Sequence, residues 1–167
     1  NLPLHSVDPA LNWLGTKSGS RETFRAAGVL MPDGFENLKT ADDIAEAVCT
    51  LKQRDPTLSR AVIKLNDGFS GEGNAIFKYD AVEHQADLLR IKDALPRHIR
   101  FEAPQETWDG FVQKYGEMQG IVEAWVDGDD KVSPSAQCRV NAMGEAQAIS
   151  THDQVLGGPT GQVFLGA

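Results

Sequence analysis

The 167-residue sequence predicts an α+β fold. Apolar residues recur at helical spacing after Thr40 and again around residues 105–115, whereas short β-branched runs such as Arg60–Leu65 are bounded by glycine-rich turns. Helices and strands are interspersed and do not alternate as regular parallel crossovers, which favours mainly antiparallel strands. The length fits one compact domain or two small subdomains.

The first part of the chain predicts two helices. A Gly-Ser-rich turn at residues 15–20 leads into a short helix in which Phe24 and Ala27 share a face, and Gly28 suits a left-handed cap at its end. Residues 29–34 are expected to form a short extended segment and turn. Thr40 is a good N-cap for the next helix, which ends before Pro56. Its buried stripe consists of Ala41, Ile44, Ala45, Val48 and Leu51.

The middle of the chain predicts a hairpin followed by two helices. Strands at residues 60–65 and 74–79 enclose an unusually long glycine-rich loop. A helix is expected at residues 82–95, stopped by Pro96, and another at 105–115. The aromatic stripe of that last helix, which is expected to be core, consists of Trp108, Phe111, Val112 and Tyr115.

The last part of the chain is β-like. Strands are expected at residues 119–126, 133–141 and 146–151, with a turn at residues 143–145 and a further strand at 162–167.

Charge and composition exclude several classes of function. Sixteen basic and 24 acidic residues give a net charge of −8, so no global basic field favours nucleic acid. No apolar run is long enough to span a bilayer, and no secretory signal is visible. Cys49 and Cys138 are far apart, which predicts two ordinary thiols in a reducing cytoplasm.

The glycine-rich loop is the most informative stretch. Its glycines, Gly68, Gly71 and Gly73, allow backbone amides to approach an anion closely, which favours a phosphate cradle. A P-loop would need lysine at Asn74, and a dinucleotide fingerprint would need glycine at Ile76. A nucleophile elbow at Ser70 would need glycine where Glu72 stands. A plain flexible hairpin loop remains the alternative.

Two lysines bear on that choice. Lys64 ends an otherwise apolar strand, four residues before Gly68, where its ammonium could meet the same phosphates. The alternative is a solvent-facing edge lysine. Lys17, in the Gly-Ser-rich turn, raises the same two interpretations more weakly.

Further along, residues 121–128 combine an apolar strand, the carboxylate of Glu123 and an extended linker. This pattern suits a purine edge and its exocyclic amine, although an acidic turn is the alternative. An EF-hand loop starting at Asp127 is excluded, because its sixth position is Val132 and its twelfth is Cys138. His152 could approach a reacting phosphate, but a structural surface histidine is the more common case.

Taken in order, the Lys17 turn, Lys64, the glycine loop and the linker at residues 123–126 resemble the nucleotide-binding half of the ATP-grasp superfamily. Residues 15–21, 64–74 and 150–159 are similar to the ATP-grasp proteins related to the pheganomycin peptide ligase. The likeness implies a small lobe at residues 15–119, preceded by a linker at 1–14. Residues 120–167 would then supply the adenine-binding linker and the beginning of a larger β-rich lobe.

The resemblance also implies roles. Lys17 would contact the α-phosphate and Lys64 the α- and β-phosphates. The loop that folds over the β- and γ-phosphates comprises Gly68, Phe69, Ser70, Gly71, Glu72 and Gly73. Glu123 would accept from the adenine amine, with Ala124 beside it, and the backbone of Trp125 or Val126 would meet the ring edge. Asp130 would contact the ribose, and His152 is the candidate catalytic residue.

The implied activity is ATP-dependent carboxylate–amine ligation through an acyl phosphate, with amino acids or peptides as substrates and Mg²⁺ as cofactor. An ATP-grasp phosphotransferase and a non-catalytic nucleotide-binding or interaction module are the alternatives. The family's Asp and Glu-x-Asn metal ligands have no counterpart after Asp153, so they are expected beyond Ala167. On this interpretation the chain belongs to a longer parent polypeptide and is inactive as a ligase alone.

Overall fold

The structure, a computed structural model, describes residues 8–68, 73–82, 87–129, 132–141, 143–158, 161 and 163–167. Its centre is a five-stranded antiparallel sheet, which confirms the predicted α+β class. The strands are β1 (Gly34–Leu38), β2 (Arg60–Leu65), β3 (Asn74–Lys78), β4 (Arg100–Phe101) and β5 (Gly120–Ala124). They lie in the order β1-β5-β2-β3-β4, so β2 is central and the β2–β3 hairpin frames the glycine loop.

Within the described residues, four α-helices accompany this sheet: α1 (Lys17–Ala26), α2 (Ala41–Arg54), α3 (Leu88–His98) and α4 (Trp108–Met118). Short 3-10 helices cover Pro9–Gly15 and Tyr79–Val82. Thr40 accepts from the amide of Asp43 and the Asp43 carboxylate accepts from Thr40, a capping box that starts α2. The predicted cap at Gly28 is confirmed by its φ of 68°.

The core lies on one face of the sheet. The side chains of Ile63, Phe77 and Val122 point to this face, where they join Ile44, Val48 and Leu51 of α2 in one buried cluster. Phe111 and Tyr115 of α4 belong to the same cluster, and Trp108 packs at its margin, as the aromatic stripe predicted. Burial of apolar surface holds these helices against one face of the sheet. The opposite face carries the charged side chains of the candidate site.

Three strands were missed from the sequence: β1, β4 and a short strand at Val155–Gly157. β1 begins at Gly34, the last residue of the expected turn, and extends over residues for which no element was predicted. Only Phe35 and Leu38 are apolar there, and Asn37, at φ 61°, breaks the alternation. β4 pairs with β3 but has only two residues, which is too short to give a periodic signal.

Two predicted helices are shifted. The predicted stop at Pro96 is wrong: α3 starts at Leu88 and runs through Pro96 to His98. A proline removes only its own amide from the ladder, and the amide of Ile99 still bonds to Leu95 O at 3.0 Å. α4 begins three residues later than expected because Thr107, not Gln105, precedes the first turn and caps Gly110 N.

The C-terminal part forms two small hairpins. β6 (Pro134–Val140) pairs with β7 (Ala146–Asp153), and β8 (Val155–Gly157) pairs with β9 (Val163–Gly166). Gly144, at φ 83°, makes the predicted turn between β6 and β7. The strands expected at residues 133–141, 146–151 and 162–167 are thereby confirmed, and their ends agree with the prediction within two residues.

Candidate functional site

The second face of the sheet carries the candidate site. Side chains of β2, β3 and β5 that alternate away from the core form what we call the lysine face: Val62, Lys64, Ile76, Ile121 and Glu123. Val62, Ile76 and Ile121 are buried but lie outside the main core cluster. In the antiparallel register Val62 lies opposite Glu123 and Lys64 opposite Ile121, which puts the two charged side chains on neighbouring strands, diagonal to each other.

Lys64 and Glu123 are joined on this face. Lys64 Nζ donates to Glu123 Oε2 at 2.9 Å, and the side chains are 23% and 10% exposed. The second oxygen of Glu123 accepts from Arg21 of α1, with NH1 2.5 Å from Oε1. Both oxygens of a nearly buried carboxylate therefore rest on cations, which offsets the cost of desolvating it.

Arg21 is the most deeply buried charged residue of this group. Its side chain is 5% exposed, and besides Glu123 it donates to Pro32 O at 3.1 Å and to Glu36 Oε2 at 3.2 Å. Glu36 also pairs with Arg25. The result is a continuous charge chain, Arg25–Glu36–Arg21–Glu123–Lys64, that links α1 to β1, β5 and β2.

Two glycines make room for this arrangement. A Cβ on Gly34, which pairs with Glu123, would collide with the Val122 carbonyl and lie 3.1 Å from Cγ of Glu123. A Cβ on Gly120 would collide with the Lys64 carbonyl and lie 2.5 Å from the Tyr115 ring. Close approach of the backbones explains glycine at both positions.

Tyr115 supports the same region from the core side. Its hydroxyl donates to Ile121 O at 2.8 Å, and burial raises the pKa of the phenol well above its usual range. The hydroxyl therefore stays protonated and remains a donor to the strand that carries Glu123.

Asn66 fastens the start of α1 to the end of β2. Its side-chain oxygen accepts from Ser18 N at 2.9 Å, its carbonyl accepts from Lys17 N at 3.3 Å, and its Nδ2 donates to Met118 O at 3.1 Å. Its own amide donates to Gln119 O at 3.0 Å. One asparagine thus satisfies end groups at the N-terminus of α1 and the C-terminus of α4.

This hub brings the two predicted lysines to one strand end. The main chain of Lys17 is hydrogen-bonded to Asn66, only two residues beyond Lys64. Lys17 is the first residue of α1 and is half-buried. The backbone also carries strain here, because Gln119 has φ 65° and ψ −179°, a region normally reserved for glycine.

The glycine loop is closed at its base. Leu65 N donates to Gly73 O at 2.9 Å, and a Cβ on Gly68 would lie 3.1 Å from the Cα of Gly73. The other predicted loop residues, Phe69, Ser70, Gly71 and Glu72, lie outside the described residues, as does the predicted ribose contact Asp130.

The predicted linker follows β5 directly. Ala124 ends the strand, and Trp125 N donates to Arg60 O at 3.1 Å. Asp127 accepts from Arg60 NH2 at 2.5 Å and from Trp125 Nε1 at 2.9 Å, while the Arg60 guanidinium lies 4.6 Å from the centre of the Trp125 ring. Val126, between them, is 68% exposed. The linker is thus clamped to the start of β2.

His152 stands apart from this hub. It lies exposed on β7 opposite Ser135, in a hairpin that forms its own two-stranded sheet, beside a shallow cleft lined by Pro134, Thr151 and Asp153. Its catalytic role stays a prediction.

The described donor side chains do not form a metal site. Among the residues with described positions, no group of three or more His, Cys, Asp or Glu side chains could hold a metal ion. Mg²⁺ favours free carboxylate oxygens, whereas both oxygens of Glu123 are bound to cations. These residues do not fit a magnesium site.

Among the described residues, no helix combines the length and the apolar character that a membrane span requires.

Sequence reasoning missed Arg21, Glu36 and Asn66. Arg21 follows Lys17 by four residues, so the two begin successive turns of α1, and this spacing was the available signal. Glu36 could not be found without β1. Asn66 gave only a turn signal, because its partners lie 48 and 52 residues away in sequence.

An antiparallel sheet with a strand lysine, an adjacent glycine loop and a linker after the next central strand is the arrangement of a partial ATP-grasp fold. The family model of IQCH-like ATP-grasp proteins matches residues 9–92. The chain belongs to this ATP-grasp family.

Two curated relatives extend the comparison. An L-propargylglycine--L-glutamate ligase of Streptantibioticus cattleyicolor is 29% identical over 147 residues, covering 86% of this chain and 28% of the relative. IQ motif-containing protein H of Danio rerio is 23% identical over 194 aligned positions, covering 99% of this chain and 18% of the relative. The chain therefore spans less than a third of the length of either relative. These findings confirm the resemblance to ATP-grasp ligases seen in the sequence.

Proposed function

We propose that this chain is the nucleotide-binding part of an ATP-dependent carboxylate–amine ligase that acts through an acyl phosphate. The observation that carries the proposal is the convergence at one end of β2: Lys64 on the lysine face, the closed base of the glycine loop, and the start of α1 with Lys17 held by Asn66. Similarity to a relative named as a ligase supports the same reaction class.

The arrangement suits a triphosphate. Charge-assisted hydrogen bonds from ammonium groups stabilise phosphate oxygens, and glycine amides approach them without a Cβ in the way. The purine would lie toward the linker at residues 124–126, where the backbone ends its pairing with β2 and Val126 is exposed.

The proposed chemistry has two steps. A substrate carboxylate oxygen attacks the γ-phosphorus of ATP, and the bond to the β,γ-bridging oxygen breaks to release ADP. The nitrogen of an amine then attacks the acyl carbon, phosphate leaves with its oxygen, and the amine gives up one proton as the amide forms. Phosphoryl transfer depends mainly on positioning and charge neutralisation, which lysines and loop amides provide.

The binding step is tested by calorimetry with ATP. Lys64→Ala should weaken ATP affinity about ten- to a hundred-fold, the value of one charge-assisted contact of roughly 1.5–3 kcal/mol. Lys92→Ala is the matched control, since Lys92 lies on α3, which packs on the core side of the sheet, and its ammonium pairs with Asp42. Equal affinity of the wild type and Lys64→Ala proteins would contradict the proposal.

The reaction class is tested in the longer parent polypeptide that the proposal implies. A ligase should form a hydroxamate when hydroxylamine replaces the amine, whereas a phosphotransferase should give a stable phosphorylated acceptor. We expect the 167-residue chain alone to bind nucleotide without ligase turnover, because the Asp and Glu-x-Asn ligands that the resemblance implies for Mg²⁺ have no counterpart after Asp153.

A non-catalytic nucleotide-binding module is the second candidate. It is supported by the match to the family model of IQCH-like ATP-grasp proteins and by the alignment with IQ motif-containing protein H, which covers 99% of this chain. Nucleotide binding without hydroxamate formation in the complete protein would support this candidate over the ligase.

A further inference from the structure

We propose that Arg21 is a positioning residue that keeps Glu123 neutralised when Lys64 turns to a bound triphosphate. This inference rests on the proposed function and adds a partner exchange to it. Lys64 would move from the Glu123 carboxylate to a phosphate group, and the remaining pairing with Arg21 would keep the Glu123 charge compensated.

The first step concerns the charge order along the chain Arg25–Glu36–Arg21–Glu123–Lys64. The charges alternate along it: three cations, one at each end and Arg21 in the middle, are separated by two carboxylates. If Lys64 is removed from its end, the remaining four residues still form two balanced pairs. Lys64 is therefore the member whose charge the network can give up to a phosphate.

The second step concerns solvent access. The Lys64 side chain is 23% exposed and flexible, whereas the Arg21 side chain is 5% exposed. Arg21 is also held by Pro32 O and Glu36, so its guanidinium is fixed beside Glu123. Of the two cations on Glu123, only Lys64 has room to swing toward a ligand.

The third step concerns the cost of leaving Glu123 alone. A carboxylate that is 10% exposed cannot lose its only cation without a large desolvation penalty. Without Arg21, every movement of Lys64 toward phosphate would carry that penalty, and it would appear as weaker nucleotide affinity. Arg21 therefore affects binding without touching the nucleotide.

The test is a cycle of variants in which ATP affinity is measured by calorimetry. Arg21→Met should weaken ATP binding at least about tenfold, in line with the loss of a partner from a buried charge. In the Glu123→Gln background the same change should alter affinity less than about twofold, because neutral glutamine needs no cation. An equal loss in both backgrounds would indicate a merely structural role and overturn the inference.

Arg25→Met is the matched control. Arg25 lies on the same helix and pairs with Glu36, but it is more than half exposed and does not contact Glu123. Its loss should change ATP affinity less than about twofold. Arg21→Lys keeps the charge, so it should retain most of the affinity. A loss as large as that of Arg21→Met would refute the charge argument.

A second measurement needs no nucleotide. Lys64→Met should lower the unfolding midpoint only slightly when Arg21 is present, and by several degrees more in the Arg21→Met background, because Glu123 then has no cation. Equal shifts in both backgrounds would overturn the role of Arg21. If neither the wild type nor any variant binds ATP, the proposed function fails. The unfolding midpoints still decide whether Arg21 compensates the charge of Glu123.

Discussion

Asn66→Ala is the change that most directly tests how the candidate site is held together. It removes two side-chain hydrogen bonds, one from the buried Ser18 amide and one to Met118 O. Each orphaned buried group costs about 1–3 kcal/mol. Because the contact with Met118 is only partly buried, we expect a total loss of about 2–4 kcal/mol in the free energy of unfolding.

Urea denaturation followed by far-ultraviolet circular dichroism measures this loss, with an unchanged dependence on urea concentration expected. Asn141→Ala is the matched control. Asn141 also uses its amide in several hydrogen bonds, but these lie in the exposed turn between β6 and β7, where water replaces them. We expect less than about 1 kcal/mol there. Equal losses at positions 66 and 141 would refute the assignment of Asn66 as a hub.

Three further predictions concern the sheet and α2. Gln119→Gly should raise the free energy of unfolding by about 1 kcal/mol, because relief of backbone strain outweighs the added chain entropy; a decrease in the same urea assay would contradict this. Gly120→Ala should lower the free energy of unfolding by more than about 3 kcal/mol and lower the thermal midpoint, because the new Cβ collides with Lys64 O and the Tyr115 ring. Gly116→Ala is the control, because its Cβ would lie at an ordinary contact distance of 3.8 Å from Lys39 O. Hydrogen bonds from the Lys39 and Thr40 amides lower the pKa of Asp43, so its stabilisation is present above about pH 4 and lost as the pH falls through the lowered pKa. Wild type and Asp43→Asn should accordingly differ in unfolding free energy at pH 7 and converge near pH 2.

Local patterns were sufficient for the elements that carry their own signal. The N-cap at Thr40, the β-branched run of β2 and the aromatic stripe of α4 are each recognisable within a dozen residues. The hairpin around the glycine loop was predicted in the same way, whereas the face on which Lys64 lies, away from Ile63, was not.

The partners of these elements were less accessible. β1 contributes Glu36 and Gly34 to the site, but its weak alternation concealed it. The pairing of Arg21 with Glu123 joins residues 102 positions apart, and nothing in local periodicity selects that carboxylate among the 24 acidic residues. Ion-pair choice depends on the completed sheet, in which β5 inserts between β1 and β2.

In many hairpins the loop itself sets the strand register. In this hairpin the register is set at the closed base of the glycine loop. Leu65 and Gly73 complete the ladder, and Gly68 touches Gly73, before residues 69–72 are reached. Strand register is thus determined beneath the loop. Insertions or replacements within those four positions should therefore leave the register of β2 and β3, and with it the position of Lys64, unchanged.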